Sequence, residues 1–245
     1  MIRSVLIVVP AGNEERLVGP CLDAIAAARR HAHHHVGRSL RIRTVVVLDR
    51  CVDSTASTVS ARSGVENITS DAGRVGSARA LGVEHAMAGI DSPAQAWIAN
   101  TDADSRVPHD WITGMVREAD RGAHVVLGTV LPAEGLSPLR SRLWRERHDL
   151  GDGHPHVHGA NFGIRADVYG ALGGWPPLAS GEDIALAERA ELAGTIKTVR
   201  TGAIPVVTSA RLRGRAPHGF AAYLQNLVCE TFLDPDESPL GLDPA

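Results

Sequence analysis

Ala96-Trp97-Ile98-Ala99-Asn100-Thr101-Asp102-Ala103-Asp104 is an apolar run that ends in two carboxylates one residue apart. A short buried strand of an open α/β sheet ends this way where its carboxyl edge faces a ligand crevice. In an extended segment residues i and i+2 point the same way, so Asp102 and Asp104 are expected to converge on one hard cation, which prefers oxygen ligands. The pattern also suits a plain strand end, because Asp favours turns and Pro108 follows closely enough to open a helix.

The flanking segments alternate strand and helix. Residues 5–9 and 44–48 are continuous apolar, β-branched runs, the pattern of parallel strands buried on both faces. A third, short strand is expected at 65–69 and a further one at 124–130. Helices are expected at about 15–30, at 55–62 behind an Asp53-Ser54 cap, at 74–88 and at 108–120. Strands that alternate with helices imply crossover units and a mostly parallel central sheet flanked by helices. The second half is less regular. A helix is expected at 136–149, a loop at 151–159, a strand at 160–165, a helix at 183–193, strands at 197–200 and 204–208, and a last helix at 217–232. The polar, Pro-rich residues 234–245 read as a flexible tail.

The chain has 245 residues, enough for one α/β domain with a substantial core, expected here over 1–233. A formal charge of −3 offers no electrostatic footprint for nucleic acid or an anionic membrane. Cys21, Cys51 and Cys229 are too widely spaced for a disulfide framework or a zinc site, which favours a reducing compartment. The start of the chain lacks the apolar stretch of a signal peptide, and no run approaches the roughly 18 apolar residues of a membrane span. A cytoplasmic protein is expected.

Several segments, taken in order, resemble the inverting family 2 glycosyltransferases, which have the GT-A fold. They are Val8-Val9-Pro10-Ala11-Gly12-Asn13-Glu14-Glu15, Val47-Leu48-Asp49-Arg50-Cys51-Val52-Asp53-Ser54-Thr55, Gly73-Arg74-Val75-Gly76-Ser77-Ala78-Arg79, Asp102-Ala103-Asp104, and Gly159-Ala160-Asn161-Phe162 through Gly181-Glu182-Asp183. The resemblance implies a single GT-A-like domain whose first half, about 1–105, binds a nucleoside-diphosphate sugar. The second half, about 106–233, would bind an acceptor: a small molecule, a glycan or a lipid. A homodimer is compatible with this reading.

By the same resemblance, Pro10, Ala11, Asn13 and Glu14 border the base and ribose, although Pro, Gly and Asn also make an ordinary strand-to-helix turn. Asp49 stands where the family usually shows paired aspartates; Leu48 replaces the first of them and Arg50-Cys51 replaces Gly-Ser. A lone carboxylate there suits the N3–H of uracil. Gly73 permits close backbone approach, and Arg79, one turn into the following helix, could reach base or phosphates or pair with Glu84. Asp102, Ala103 and Asp104 face the diphosphate, with Asp102 and Asp104 holding Mg2+ or Mn2+. Glu182 and Asp183 form the catalytic acid pair with Asp183 as general base, while Ser180 and Asp183 also fit a helix capping box. The family's Gln-x-x-Arg-Trp signature is missing; Arg213, within Arg211-Leu212-Arg213-Gly214-Arg215, is the candidate for the leaving diphosphate.

His218 is a candidate third metal ligand. His31, His33, His34 and His35 suit a helix C-terminus. His154, His156 and His158 alternate, which could serve zinc, and His158 could touch the acceptor. Two rival functions stand beside glycosyl transfer. One is a sugar-phosphate nucleotidyltransferase, whose Gly-rich activating loop is absent at the first strand. The other is a degenerate nucleotide-sugar binding module, kept open by Leu48 and by the missing signature.

Overall fold

The computed structural model describes residues 1–214 and 219–231. Its first half is a run of crossover units: β1 (Ser4–Ala11), α1 (Val18–His35), β2 (Arg41–Asp49), α2 (Thr55–Ser60), β3 (Glu66–Ser70), α3 (Val75–Met87) and β4 (Ala96–Asn100). The second half holds β5 (Ser105–Arg106), α4 (Trp111–Asp120), β6 (Val125–Pro132), α5 (Pro138–Arg147), β7 (Phe162–Arg165), α6 (Ala166–Ala171), α7 (Glu182–Leu192), β8 (Thr198–Thr208) and α8 (Phe220–Thr231). The strand at 96–100 lies where its apolar run places it. The segments at 197–200 and 204–208 belong to one strand, which shifts register against β6 between Gly128 and Val130. Positions 217, 218 and 232 of the expected last helix and the tail at 234–245 lie outside the described residues.

Strand order is β3-β2-β1-β4-β7-β6-β8-β5. The β1–β2, β2–β3, β1–β4 and β6–β8 pairs are parallel, and β4–β7, β6–β7 and β5–β8 are antiparallel. Parallel pairing thus holds throughout β3-β2-β1-β4, and the sheet becomes mixed from β7 onward. β7 runs back between β4 and β6, directly beside the aspartate-bearing strand.

Both faces of the sheet are covered, as continuous apolar strands require. Along β1, Val5, Ile7 and Val9 enter one core with residues of α1 and α4, while Leu6 and Val8 enter a second with residues of α3 and α7. α3 lies unusually close to the sheet: a Cβ at Gly82 would stand 2.5 Å from Val8 Cγ1 and 2.8 Å from Val47 Cγ2. Only glycine allows that approach, and it sets the depth of Arg79 one turn earlier. A smaller core of Trp144, Leu224 and Leu227 joins α5 to α8. Among the described residues, no helix is long and apolar enough to cross a membrane.

Candidate active site

After β4 the chain does not stay extended. The Ser105 N–H donates to the Asp102 carbonyl at 3.0 Å, closing a turn over 102–105. The alternation that would aim Asp102 and Asp104 the same way is therefore absent, and each carboxylate meets its own arginine. Asp102 Oδ1 accepts from Arg79 Nη2 at 2.6 Å, and Asp104 Oδ2 lies 2.9 Å from Arg211 Nη2. The two acids still sense each other. Burial, then the charge of Asp102, pushes Asp104 up to about 6, against the pull of Arg211. Beneath them the Cys21 thiol donates to the Asp102 carbonyl at 3.3 Å, and burial raises its pKa well above the ordinary thiol range. Ala103 turns its side chain into the core.

Arg79 is 1% exposed, a depth at which a guanidinium needs carboxylate partners. Besides Asp102 it meets Glu182, with Nε 3.1 Å from Oε1, and its guanidinium carbon lies 5.5 Å from the centre of the Trp175 ring. Among the described residues the buried Nη1 has no hydrogen-bond partner. Arg79 thus joins α3, the end of β4 and the start of α7, and does not pair with Glu84. Burial raises the pKa of Glu182, while Arg79 opposes the shift. A Cβ at Gly159 would stand 2.5 Å from Arg79 Nη2, so glycine is needed where this turn passes the guanidinium.

Asp183 lies in the first turn of α7. The helix is preceded by Gly181 in the left-handed region (φ 78°), without a side-chain cap, so the Ser180 capping box is not formed. Asp183 Oδ1 accepts from the Ile184 N–H at 2.9 Å, and Oδ2 from the Gly159 N–H at 2.6 Å. The Gly159 turn is fixed in turn by Asn161. Its Oδ1 accepts from Trp111 Nε1 at 2.9 Å, and its Nδ2 donates to the carbonyls of Thr129 at 2.9 Å and Ile204 at 2.8 Å. Sequence reasoning gave Asn161 no role. The available signal was an amide beside Phe162 in an otherwise apolar strand, where a buried polar group needs partners.

The first loop crosses to the second. Asn13, at φ 52°, accepts the Val52 N–H on its Oδ1 at 2.8 Å, and the Glu14 N–H donates to Thr55 Oγ1 at 2.7 Å. Glu14 is nearly buried, and its Oε1 lies 2.8 Å from Arg211 Nη1. Pro10 and Ala11 form the end of β1 beside it. Asp49 Oδ1 accepts the Gly73 N–H at 3.1 Å, tying the end of β2 to the approach to α3. Of the arginines at 211–214, Arg211 reaches the carboxylates and Arg213 is exposed. A cavity of about 400 Å³ opens beside Asp104 and Arg211, bordered by Leu17, Pro20, Arg106 and Ala133.

His154, His156 and His158 stack as rings, continued by His148 and Trp144. Among the described residues no group of three or more His, Cys, Asp or Glu side chains could hold a metal, so the zinc arrangement is not formed. His218 lies outside the described residues.

No curated protein matches the chain. Solved structures do. The Staphylococcus aureus TarS 1–349 structure in complex with UDP aligns with a TM-score of 0.60 at 13% identity, covering 94% of this chain and 71% of that one. The mannosyltransferase PcManGT from Pyrobaculum calidifontis, in complex with GDP-Man and Mn2+, aligns with a TM-score of 0.59 at 20% identity, covering 99% of this chain and 66% of that one. Glucosyl-3-phosphoglycerate synthase from Mycobacterium tuberculosis, with Mn2+, UDP and phosphoglyceric acid, aligns with a TM-score of 0.57 at 17% identity, covering 96% and 80%. At these identities the likeness is one of fold, and the chain spans about two thirds of the length of the mannosyltransferase. The model of glycosyl transferase family 2 matches residues 6–173, more than half of the sequence, and the chain belongs to that family of glycosyltransferases.

Proposed function

We propose that the protein transfers a sugar, with inversion and with the help of a divalent metal, from a UDP-sugar to a hydroxyl-bearing acceptor. The observation that carries this reading is the buried Arg79, which holds Asp102 of the donor edge and Glu182 of the acid pair on one guanidinium. Donor binding falls to about 1–105, with Pro10, Ala11, Asn13, Glu14, Asp49 and Gly73 beside the nucleoside. Acceptor binding falls to about 106–233. The structures with UDP and with Mn2+ among the fold relatives support the choice of donor and metal. The free thiols of Cys21 and Cys51 support a reducing, cytoplasmic setting.

Asp102 and Asp104, each paired with an arginine, are the carboxylates that would hold a hard divalent cation. Among the described residues, Asp102 and Glu182 pair with Arg79, Glu14 and Asp104 pair with Arg211, and Asp104 Oδ1 has long contacts, 3.5 Å, to the Ser105 and Thr208 hydroxyls. Mg2+ or Mn2+ bound there would act as a Lewis acid toward the leaving diphosphate. Asp183 takes the proton of the acceptor hydroxyl as that oxygen forms its bond to the anomeric carbon. The bond from that carbon to the diphosphate oxygen breaks on the opposite face, and the electron pair leaves with the diphosphate. Both Asp183 oxygens are held by backbone N–H groups, which orients them and leaves each a lone pair for the proton. Arg79 supplies fixed positive charge beside the developing anion. An acid pair seated this way favours catalysis over a pure binding module.

Calorimetry of UDP with Mn2+ and with EDTA tests the proposal. Affinity should appear only with metal. Equal affinity in both would remove the metal from the reading, and tighter binding of GDP would change the base alone.

A further inference from the structure

Of the described arginines of its cluster, Arg211 reaches the carboxylates, and it bridges two of them. Nη1 lies 2.8 Å from Glu14 Oε1 and Nη2 lies 2.9 Å from Asp104 Oδ2. Glu14 belongs to the loop after β1, Asp104 to the turn after β4, and Arg211 to the segment after β8. Antiparallel pairing of Ser105 with Thr208 and a bond from the Ser209 N–H to the Asp104 carbonyl hold that segment against the turn. Arg211 is about one third exposed and borders the 400 Å³ cavity, so its guanidinium can swing without repacking the core.

From this geometry we infer that Arg211 is a tethered counter-ion that shares Asp104 with the divalent metal and moves to the donor's diphosphate when both ligands load. The inference rests on the metal reading above. Without a diphosphate, a metal ion at Asp104 must displace or crowd a guanidinium that is left with Glu14 as its carboxylate partner. With a diphosphate in the crevice, the same guanidinium gains phosphate oxygens, whose geometry its planar fork matches. Metal and nucleotide therefore assist each other beyond their direct contact. That assistance is a coupling free energy, and removing Arg211 should shrink it from both sides.

The test measures Mn2+ binding by electron paramagnetic resonance, with and without UDP. Wild type is compared with Arg211→Met, with Arg211→Gln as a second neutral variant that keeps a polar group beside Glu14, and with Arg106→Gln. The last removes an equal charge from the wall of the same cavity without a contact to Asp104. Arg211→Met or Arg211→Gln should bind Mn2+ alone about tenfold more tightly than wild type, and the gain on adding UDP should fall by a similar factor. Arg106→Gln should leave both values within about twofold of wild type. If the Arg211 variants bind Mn2+ no more tightly than wild type, or if Arg106→Gln changes binding as much, the counter-ion role is overturned while the metal site stands. Should wild type and variants all fail to bind Mn2+ even with UDP, the metal site and the inference fall together.

Discussion

The Gly159 N–H donates to Asp183 Oδ2 at 2.6 Å, so a turn before β7 orients a carboxylate at the start of α7, 24 residues later. If Asp183 is the base, Asp183→Asn keeps the side chain's shape and removes its ability to take a proton. Turnover should drop by about 10²- to 10⁴-fold while UDP binding stays nearly unchanged. An acid that served only the helix would cost roughly 0.3–1 kcal/mol on this exchange and leave turnover almost intact. Melting temperature and turnover measured on one preparation separate the two.

Arg79→Met strips the partner from Glu182, which is 4% exposed. Removing one member of a buried ion pair typically costs about 3–5 kcal/mol. For a chain of this size that corresponds to a melting temperature lower by roughly 10 °C. A fall of less than about 3 °C would show that solvent already shares this site.

Asp104→Ala should weaken metal-dependent UDP binding more than Asp102→Ala. Asp104 retains an oxygen with only 3.5 Å hydroxyl contacts, whereas Asp102 spends one oxygen on Arg79 at 2.6 Å. Calorimetry of both variants with Mn2+ ranks them, and the reverse order would exchange their roles.

Stability should fall in mild acid. His148, His154 and His156 are held below the ordinary imidazole range, and His158 is pushed down to about 3. Burial leads in each case, with the neighbouring imidazoles acting on His156 and His158. Asp149 pulls the other way on His154 and His156, as do the Trp144 carbonyl on His148 and the Leu127 carbonyl on His154. Arg200, whose guanidinium caps the carbonyls of residues 154–156, adds to the depression of His154 and His156. Between about pH 6.5 and pH 3 the unfolded chain then binds more protons than the folded one at these sites, so stability drops as pH falls. Asp104, raised to about 6, and Glu182, also raised by burial, contribute in the opposite sense as two groups against these four histidines. The urea midpoint should decline from pH 7.5 to pH 5, and His156→Phe should flatten the decline. A midpoint independent of pH over that range would show that the ring stack opens freely to water.

Much of the architecture was written in local pattern. The apolar runs at 5–9, 44–48 and 96–100 have the pattern of strands covered on both faces, because burial on two sides excludes polar alternation, and β1, β2 and β4 contain them. Their alternation with helices implied parallel crossovers, which β3-β2-β1-β4 displays. β5, with two residues, and α6, with six, are too short for any periodicity to emerge, and the reversal of β7 depends on pairing between segments far apart in sequence. At the site, residue types and their order named the family and drew attention to Asp102, Asp104, Glu182, Asp183 and Arg79. Which groups face one another was decided only by folding. A single backbone hydrogen bond from Ser105 to Asp102 turns the chain and cancels the alternation that extended geometry would impose. Likewise Arg211 rather than Arg213 meets Asp104, because the pairing of Ser105 with Thr208 sets where the segment after β8 passes. Local sequence determines what a segment can form; a contact between residues a hundred positions apart depends on the packing of everything between them.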